Sequence, residues 1–161
     1  MTANENRDPA LCNEFVRAAT DILSHYPDIL HEWSIDDDED HCILYLPKNA
    51  HDGFDIIVEV FSTEIIVNTD GPHLHLDLVE SPNRTVNRAL CLVRDLLSPD
   101  MRIVEKCANG KPYKWLVQIL RNGNWYTEQT SSLLFFNFIG RRSERIFMNR
   151  TLPGRLSNSD T

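Results

Sequence analysis

A chain of 161 residues is long enough to bury a hydrophobic core without disulfides, and 42% hydrophobic with 25% charged residues is ordinary for a globular domain. This composition excludes a fibrous or wholly disordered protein, and the longest uncharged apolar stretch, residues 133–139, is far too short to cross a bilayer. The net charge of −8 is uneven, because residues 1–100 hold 20 acids and 6 bases whereas residues 101–161 hold 4 acids and 10 bases.

The polar and acidic N-terminus is not typical of a signal peptide, which predicts a cytoplasmic protein. Residues 1–7 and 153–161 are predicted to be disordered, which leaves residues 8–152 as a single domain. The four cysteines are far apart and form no C-x-x-C pair. This spacing favours reduced thiols, most of them in the core, over a disulfide or a zinc site.

Two segments have the start signals and the apolar spacing of helices. Asp8-Pro9 and Ser81-Pro82 each combine an N-cap residue with a proline suited to the first helical position. Six apolar side chains follow each start at helical spacing, and a proline lies just beyond each stripe. The sequence therefore predicts two amphipathic helices, over about residues 8–26 and 81–97.

Short alternating segments between and after these helices predict β-strands. Asn109-Gly110 and Asn122-Gly123 suit the positive φ angles of two-residue hairpin turns, so the later strands are expected to form a meander. Residues 133–139 fit either a buried strand or a short helix. Because no crossover helices separate the strands, we expect an α+β domain rather than a doubly wound sheet. Its predicted core is a twisted, mainly antiparallel sheet of about seven strands with two helices packed on one face.

His73, His75 and Asp77 alternate along a predicted strand, so the two imidazoles and the carboxylate are expected to share one face. Such a group could hold a divalent metal if a residue such as His41 or Glu80 supplied a further ligand. The alternative is a half-exposed strand with these polar side chains outside and leucines inside.

This spacing resembles the start of the His-x-His-x-Asp-His motif of metallo-β-lactamase-like hydrolases. However, Leu78 stands in place of the last histidine, and no histidine follows His75 to supply the downstream ligands. The spacing also resembles the cupin pattern His-x-His-x4-Glu, with Glu80 in the carboxylate position. Val67 and Asn87 stand where that pattern has glycine, so neither resemblance implies membership of the family.

One loop between predicted strands contains five consecutive acidic residues, which create a strong negative electrostatic potential around it. The run cannot pack in a core, and it lacks the calcium-loop pattern. It is therefore expected to steer a basic protein partner, with a purely solubilising hairpin tip as the alternative. Its residues are Asp36, Asp37, Asp38, Glu39 and Asp40.

Arg141, Arg142 and Arg145 follow a phenylalanine-rich stretch and form the candidate anion site. The alternative is that these arginines pair with the acidic first part of the chain. That acidic part would repel phosphate, which argues against nucleic acid as the partner of the first hundred residues and makes RNA binding through the C-terminal arginines the least favoured hypothesis.

No catalytic serine or cysteine motif is present in the sequence. We therefore expect a non-enzymatic protein-interaction module of the inhibitor, immunity or adaptor kind, with a basic protein as its partner and no cofactor. A small metal-binding domain or metal-dependent enzyme using His73, His75 and Asp77 is the alternative. The sequence leaves open whether the chain forms a homodimer.

Overall fold

The computed structural model describes residues 10–36, 41–78, 81–133 and 140–155. These residues form two helices and nine strands in two antiparallel sheets. The predicted α+β class is confirmed, with the strands divided between a five-stranded and a four-stranded sheet. The elements are α1 Ala10–Ser24, β1 Glu32–Ile35, β2 Cys42–Leu46, β3 Ile56–Val60, β4 Glu64–Asn68, β5 His73–Asp77, α2 Pro82–Leu96, β6 Met101–Ala108, β7 Lys111–Arg121, β8 Asn124–Ser132 and β9 Arg142–Phe147.

The chain divides into two compact units. The first comprises Met1–Pro47, Ile56–Asn68 and His73–Leu92, and the second comprises Lys48–Asp55, Thr69–Pro72 and Val93–Thr161. By sequence, the first unit has 15 acids and 4 bases, for a net charge of −11, and the second has 9 acids and 12 bases, for a net charge of +3. The uneven charge of the sequence is thus a difference between the two units. The single domain over residues 8–152 stays a prediction.

The five-stranded sheet lies in the first unit, with the strand order β1-β2-β3-β4-β5 and antiparallel neighbours throughout. Helix α1 covers one of its faces: the ring of Phe15 packs edge-on against Trp33 at 6.1 Å, and the thiol of Cys12 contacts Cys42. In β2, β3 and β4 every second side chain is buried on this face, because successive residues of a strand point to opposite sides, and β5 adds one buried leucine. The buried set is Cys42, Leu44, Leu46, Ile56, Val58, Val60, Ile65, Val67 and Leu76.

Three of the four cysteines are buried in the core and all four are free thiols, as the sequence predicted. Burial raises the pKa of the Cys42 thiol far above its ordinary value, and the contact with Cys12 raises it further. A thiol in such surroundings stays protonated and unreactive. Cys91 is the exposed one.

The four-stranded sheet lies in the second unit, with the strand order β8-β7-β6-β9. Both predicted hairpin turns are confirmed. Asn109 and Gly110 have φ angles of 50° and 77°, and Asn122 and Gly123 have 50° and 76°. Positive φ at both central residues matches the right-handed twist of the flanking strands. Residues 134–139, which make up most of the apolar run 133–139, lie outside the described residues. Among the described residues, neither helix has the length and apolar character needed to cross a membrane.

A buried asparagine after β9 holds the segment Lys48–Asp55 in the second unit. The side chain of Asn149, only 2% exposed, accepts a hydrogen bond from the Phe54 N–H at 3.2 Å and donates one to the Phe54 carbonyl at 3.1 Å. Beside it, the guanidinium of Arg150 donates a hydrogen bond to Asp52 at 2.8 Å and holds the pKa of that carboxyl below its usual value. One amide thus satisfies both backbone groups of a buried residue that lies 95 positions away in the sequence.

Replacing Asn149 by alanine is expected to cost about 2–3 kcal/mol of unfolding free energy, because both buried backbone groups of Phe54 lose their partner. Urea unfolding followed by circular dichroism measures this cost. The control is Asn87→Ala, which removes an exposed amide that bonds only another side chain and is expected to change stability little. Equal stability of the two variants would show that the amide contributes nothing specific.

Candidate functional site

The candidate site is the face of the first sheet that lies opposite α1. Strand register places twelve residues on this face, because paired residues of neighbouring strands point to the same side. Two rows cross all five strands, and one further pair joins β4 to β5. We call this surface the outer face, and it consists of Ser34, Ile43, Glu59, Ile66 and His75, of Glu32, Tyr45, Ile57, Asn68 and His73, and of Glu64 and Asp77.

The middle of the outer face is apolar. Tyr45 pairs with Ile57 across β2 and β3, and Ile43 and Ile66 flank Glu59 in the next row. All four of these apolar side chains are half-buried, whereas the core-facing residues of the same strands are buried almost completely. The three central strands are therefore apolar on both faces, and on the outer face that apolar surface is still accessible.

Three carboxylates border this apolar centre, and a fourth, Glu59, lies within it. The described strands β1–β5 contain four acids and no lysine or arginine, and the register places all four acids on the outer face. Two of the four acids have polar neighbours on the same face. Asn68 donates a hydrogen bond to Glu59 at 2.9 Å, and the Nδ1 atom of His75 lies 2.9 Å from the carboxylate of Glu64. The outer face therefore combines an apolar centre with a negative border.

His73, His75 and Asp77 share the outer face and are exposed, as the strand alternation predicted. The two imidazole rings meet edge to face with 5.5 Å between centroids, and His75 contacts Glu64 of the neighbouring strand. Among the described residues, no group of three or more His, Cys, Asp or Glu side chains is placed to hold a metal ion. Metal binding by these three residues stays a prediction.

The other ligand candidates are placed elsewhere. His41 stacks on the ring of Phe61 with 4.7 Å between centroids, and its Nδ1 atom lies 3.1 Å from the Asp36 carboxylate. Glu80 lies outside the described residues.

In the sequence, the acidic run stands between β1 and β2. Asp36, which is exposed, also donates its backbone N–H to the His41 carbonyl at 3.1 Å, and this bond closes the base of the β1–β2 connection. The other four members of the run, residues 37–40, lie outside the described residues. Partner binding by Asp36, Asp37, Asp38, Glu39 and Asp40 stays a prediction.

The candidate anion site is divided by strand alternation. Arg142 and Arg145 lie three residues apart on β9 and therefore point to opposite faces of the second sheet. The guanidinium of Arg142 lies 4.9 Å from the centre of the Tyr113 ring, whereas Arg145 contacts Glu105 at 3.5 Å. Arg141 precedes the strand and donates its backbone N–H to Asn109 at 3.0 Å. The three arginines thus do not form one cluster.

On the Arg145 side of this sheet lies a buried carboxylate. Glu105, only 7% exposed on the central strand β6, accepts a hydrogen bond from the indole N–H of Trp115 at 3.1 Å. The thiol of Cys107 donates to the same carboxylate at 3.5 Å, and burial together with this bond raises the pKa of Cys107. Arg145 supplies the positive charge beside it. The hydrogen-bonding demands of this buried charge are met within the sheet, which is the condition for keeping a carboxylate in the core.

The turn Asp70-Gly71 packs against the same indole. A methyl group on Gly71 would lie 2.5 Å from the Nε1 atom and 2.6 Å from the Cδ1 atom of Trp115, so only glycine fits the contact. Burial raises the pKa of the neighbouring Asp70, and the nearby Asp55 carboxylate raises it further, against a smaller opposite effect of Lys48.

Sequence reasoning missed the apolar half of the outer face. Ile57 and Glu59 lie on the same side of β3, and Ile66 lies beside Glu59 on β4. The available signal was the run of consecutive apolar residues in β3 and β4, since apolar neighbours on a strand necessarily point to both faces.

Comparison of the chain with protein-family models, with curated proteins and with solved structures found no match. Function is therefore inferred from the chemistry and geometry of this chain alone.

Replacing Gly71 by alanine is expected to destabilise the protein by about 1–3 kcal/mol, because the added methyl group displaces the Trp115 ring or the turn. Urea unfolding measures the cost in the natural background and in a Trp115→Leu background. The cost should fall when the ring is absent. An equal cost in both backgrounds would show that the strain does not come from this contact.

Replacing Asp70 by asparagine is expected to raise the melting temperature at about pH 7 and to leave it nearly unchanged at about pH 3. The pKa of Asp70 is raised in the folded protein above its unfolded value of 3.8, so ionisation costs stability as the pH rises through the folded pKa. At low pH both states are protonated and the cost disappears. Thermal unfolding at the two pH values tests this, with the exposed Asp28→Asn as the control. A lower melting temperature at neutral pH would contradict it.

Proposed function

We propose that this protein is a non-enzymatic protein-binding module whose outer face receives a basic partner. The observation that carries the proposal is the accessible apolar centre, which has Glu59 within it and Glu32, Glu64 and Asp77 around it, on strands that contain no lysine or arginine. A role as an inhibitor, immunity-like protein or adaptor fits such a surface.

The dimensions of the outer face suit a protein partner. Five strands spaced about 4.8 Å apart make a surface roughly 19 Å wide. Its centre offers Ile43, Tyr45, Ile57 and Ile66 for desolvation by apolar side chains of the partner. An apolar centre with a polar border is the usual organisation of protein–protein interfaces, in which the centre supplies most of the binding energy.

The carboxylates decide the chemistry of that partner. Glu32 and Asp77 lie at opposite edges of the sheet and are exposed, so they remain available for lysine or arginine side chains. Opposite charges across an interface accelerate association and exclude partners of the wrong charge. By sequence, the acidic run at residues 36–40 follows β1 and adds five further carboxylates. The partner therefore presents apolar side chains surrounded by lysines or arginines.

The test is a pull-down from the source cells at about 50 and 150 mM salt, followed by titration calorimetry with each purified partner. We expect a stoichiometric basic protein whose dissociation constant rises at least tenfold in Glu32→Lys/Asp77→Lys. The matched control is Asp21→Lys/Asp28→Lys, which makes the same charge change at exposed positions outside the outer face and should alter the constant less than twofold.

Two further variants locate the contact. Ile57→Ser should weaken binding at both salt concentrations, because it removes apolar contact rather than charge. A bait with asparagine at 36, 37, 38 and 40 reports the contribution of the acidic run. A partner that is acidic, or a basic partner that binds both lysine double variants equally well, would overturn the proposal. Loss of binding only in the asparagine bait would move the contact to the acidic run.

A further inference from the structure

The second sheet carries a cationic face that is distinct from the outer face of the first sheet. The register places five cations on one side of β6, β7 and β9, and only one acid, Glu144, lies on the same side of these strands. We call this surface the basic face. Its charged members are Arg102, Lys106, Lys111, Lys114 and Arg142.

The charges follow from strand alternation. Arg102 and Lys106 point away from the side of β6 that carries Glu105, and Lys114 pairs with Lys106 across β6 and β7. Lys106 also contacts Glu144 at 2.8 Å. Two like charges in directly opposed positions repel, which costs stability. An anion that binds between the two lysines would relieve this repulsion and stabilise the folded protein.

Both arginines of this face stack on aromatic rings. The guanidinium carbon of Arg102 lies 4.1 Å from the centre of the Trp125 ring, and the Nε–H of Arg102 donates to Gln118 at 2.8 Å. The guanidinium of Arg142 lies 4.9 Å from the Tyr113 ring at the other end of the face. A guanidinium stacked on a ring is restricted in orientation, so less conformational entropy is lost when it binds an anion.

The face is long enough for a polymeric anion. Arg102 and Ala108 stand at its two ends on β6, and six residues of strand span about 20 Å. Between the ends the accessible apolar side chains are Leu116 and the half-exposed Ile146, which lie on either side of the buried Val104. Cations and aromatic rings around a flat apolar sheet surface are what single-stranded nucleic acids require, since phosphates bind the cations and bases stack on the rings and apolar side chains.

We infer that the basic face binds a single-stranded polynucleotide. Phosphates lie against Arg102, Lys106, Lys114 and Arg142, and bases contact the apolar centre and the Trp125 and Tyr113 rings. The positive net charge of the second unit supports this binding, and the strongly negative first unit confines it to the basic face. The affinity is therefore strongly salt-dependent and not specific for base sequence.

The test is fluorescence anisotropy with labelled oligo(dT) and oligo(U) of about 20 nucleotides, titrated with the full chain between about 50 and 200 mM salt. We expect saturable binding to at least one oligonucleotide at low salt. Arg102→Gln/Lys106→Gln/Lys114→Gln should weaken this binding at least tenfold. It should also reduce the slope of log affinity against log salt by about 2, because three phosphate contacts are lost.

The matched control is Arg84→Gln/Arg88→Gln/Arg121→Gln, which makes the same charge change outside the basic face and should bind within twofold of the natural protein. Circular dichroism spectra of both triple variants verify that they fold. Trp125→Leu adds a readout of the ring itself and should weaken binding without changing the salt slope.

Three outcomes would overturn the inference. One is the absence of saturable binding to both oligonucleotides at about 50 mM salt. The second is equal weakening by the two triple variants, which would show that only net charge matters. The third is equal competition by polyglutamate of matched charge, which would assign the face to an acidic protein instead.

Discussion

Side chains that follow one another on a β-strand point to opposite sides of the sheet, and this alternation decides which residues of the protein meet. In the first sheet it buries Val58 against the core and leaves Ile57 and Glu59 on the outer face. In the second sheet it sends Glu105 into the core and Lys106 to the basic face. A shift of one residue in any strand would exchange these sets, so register controls both the core and the functional surfaces.

Strand alternation also determines on which face of a sheet each charged strand residue lies. All four acids of the first sheet lie on its outer face, and five of the seven cations in the strands of the second sheet lie on its basic face. Side chains of mostly like charge on one face of a sheet repel one another. The burial of apolar side chains on the opposite face of the same sheet stabilises this arrangement. The buried Asn149 and the Glu105–Trp115 pair show that polar groups enter the core only where each finds a partner.

The outer face is mainly negative and the basic face is mainly positive, but their side chains are arranged in the same way. Each has apolar side chains in the middle, around Ile57 on the outer face and around Ile146 on the basic face, with charged side chains along the border. On the outer face the border is formed by carboxylates, which favour a basic protein. On the basic face it is formed by lysines and ring-stacked arginines, which favour phosphates.

The sequence by itself determined the elements whose signals are local. The two amphipathic helices, the two Asn-Gly hairpins and the shared face of His73 and His75 depend on spacing along one segment, and all are present. Only the tertiary structure decided which surfaces those segments build. Strand order and register brought Glu32 and Asp77 to one face, separated Arg142 from Arg145 and placed Asn149 against Phe54. These pairings join residues far apart in the chain, and their energy comes from packing and buried hydrogen bonds that no local pattern encodes.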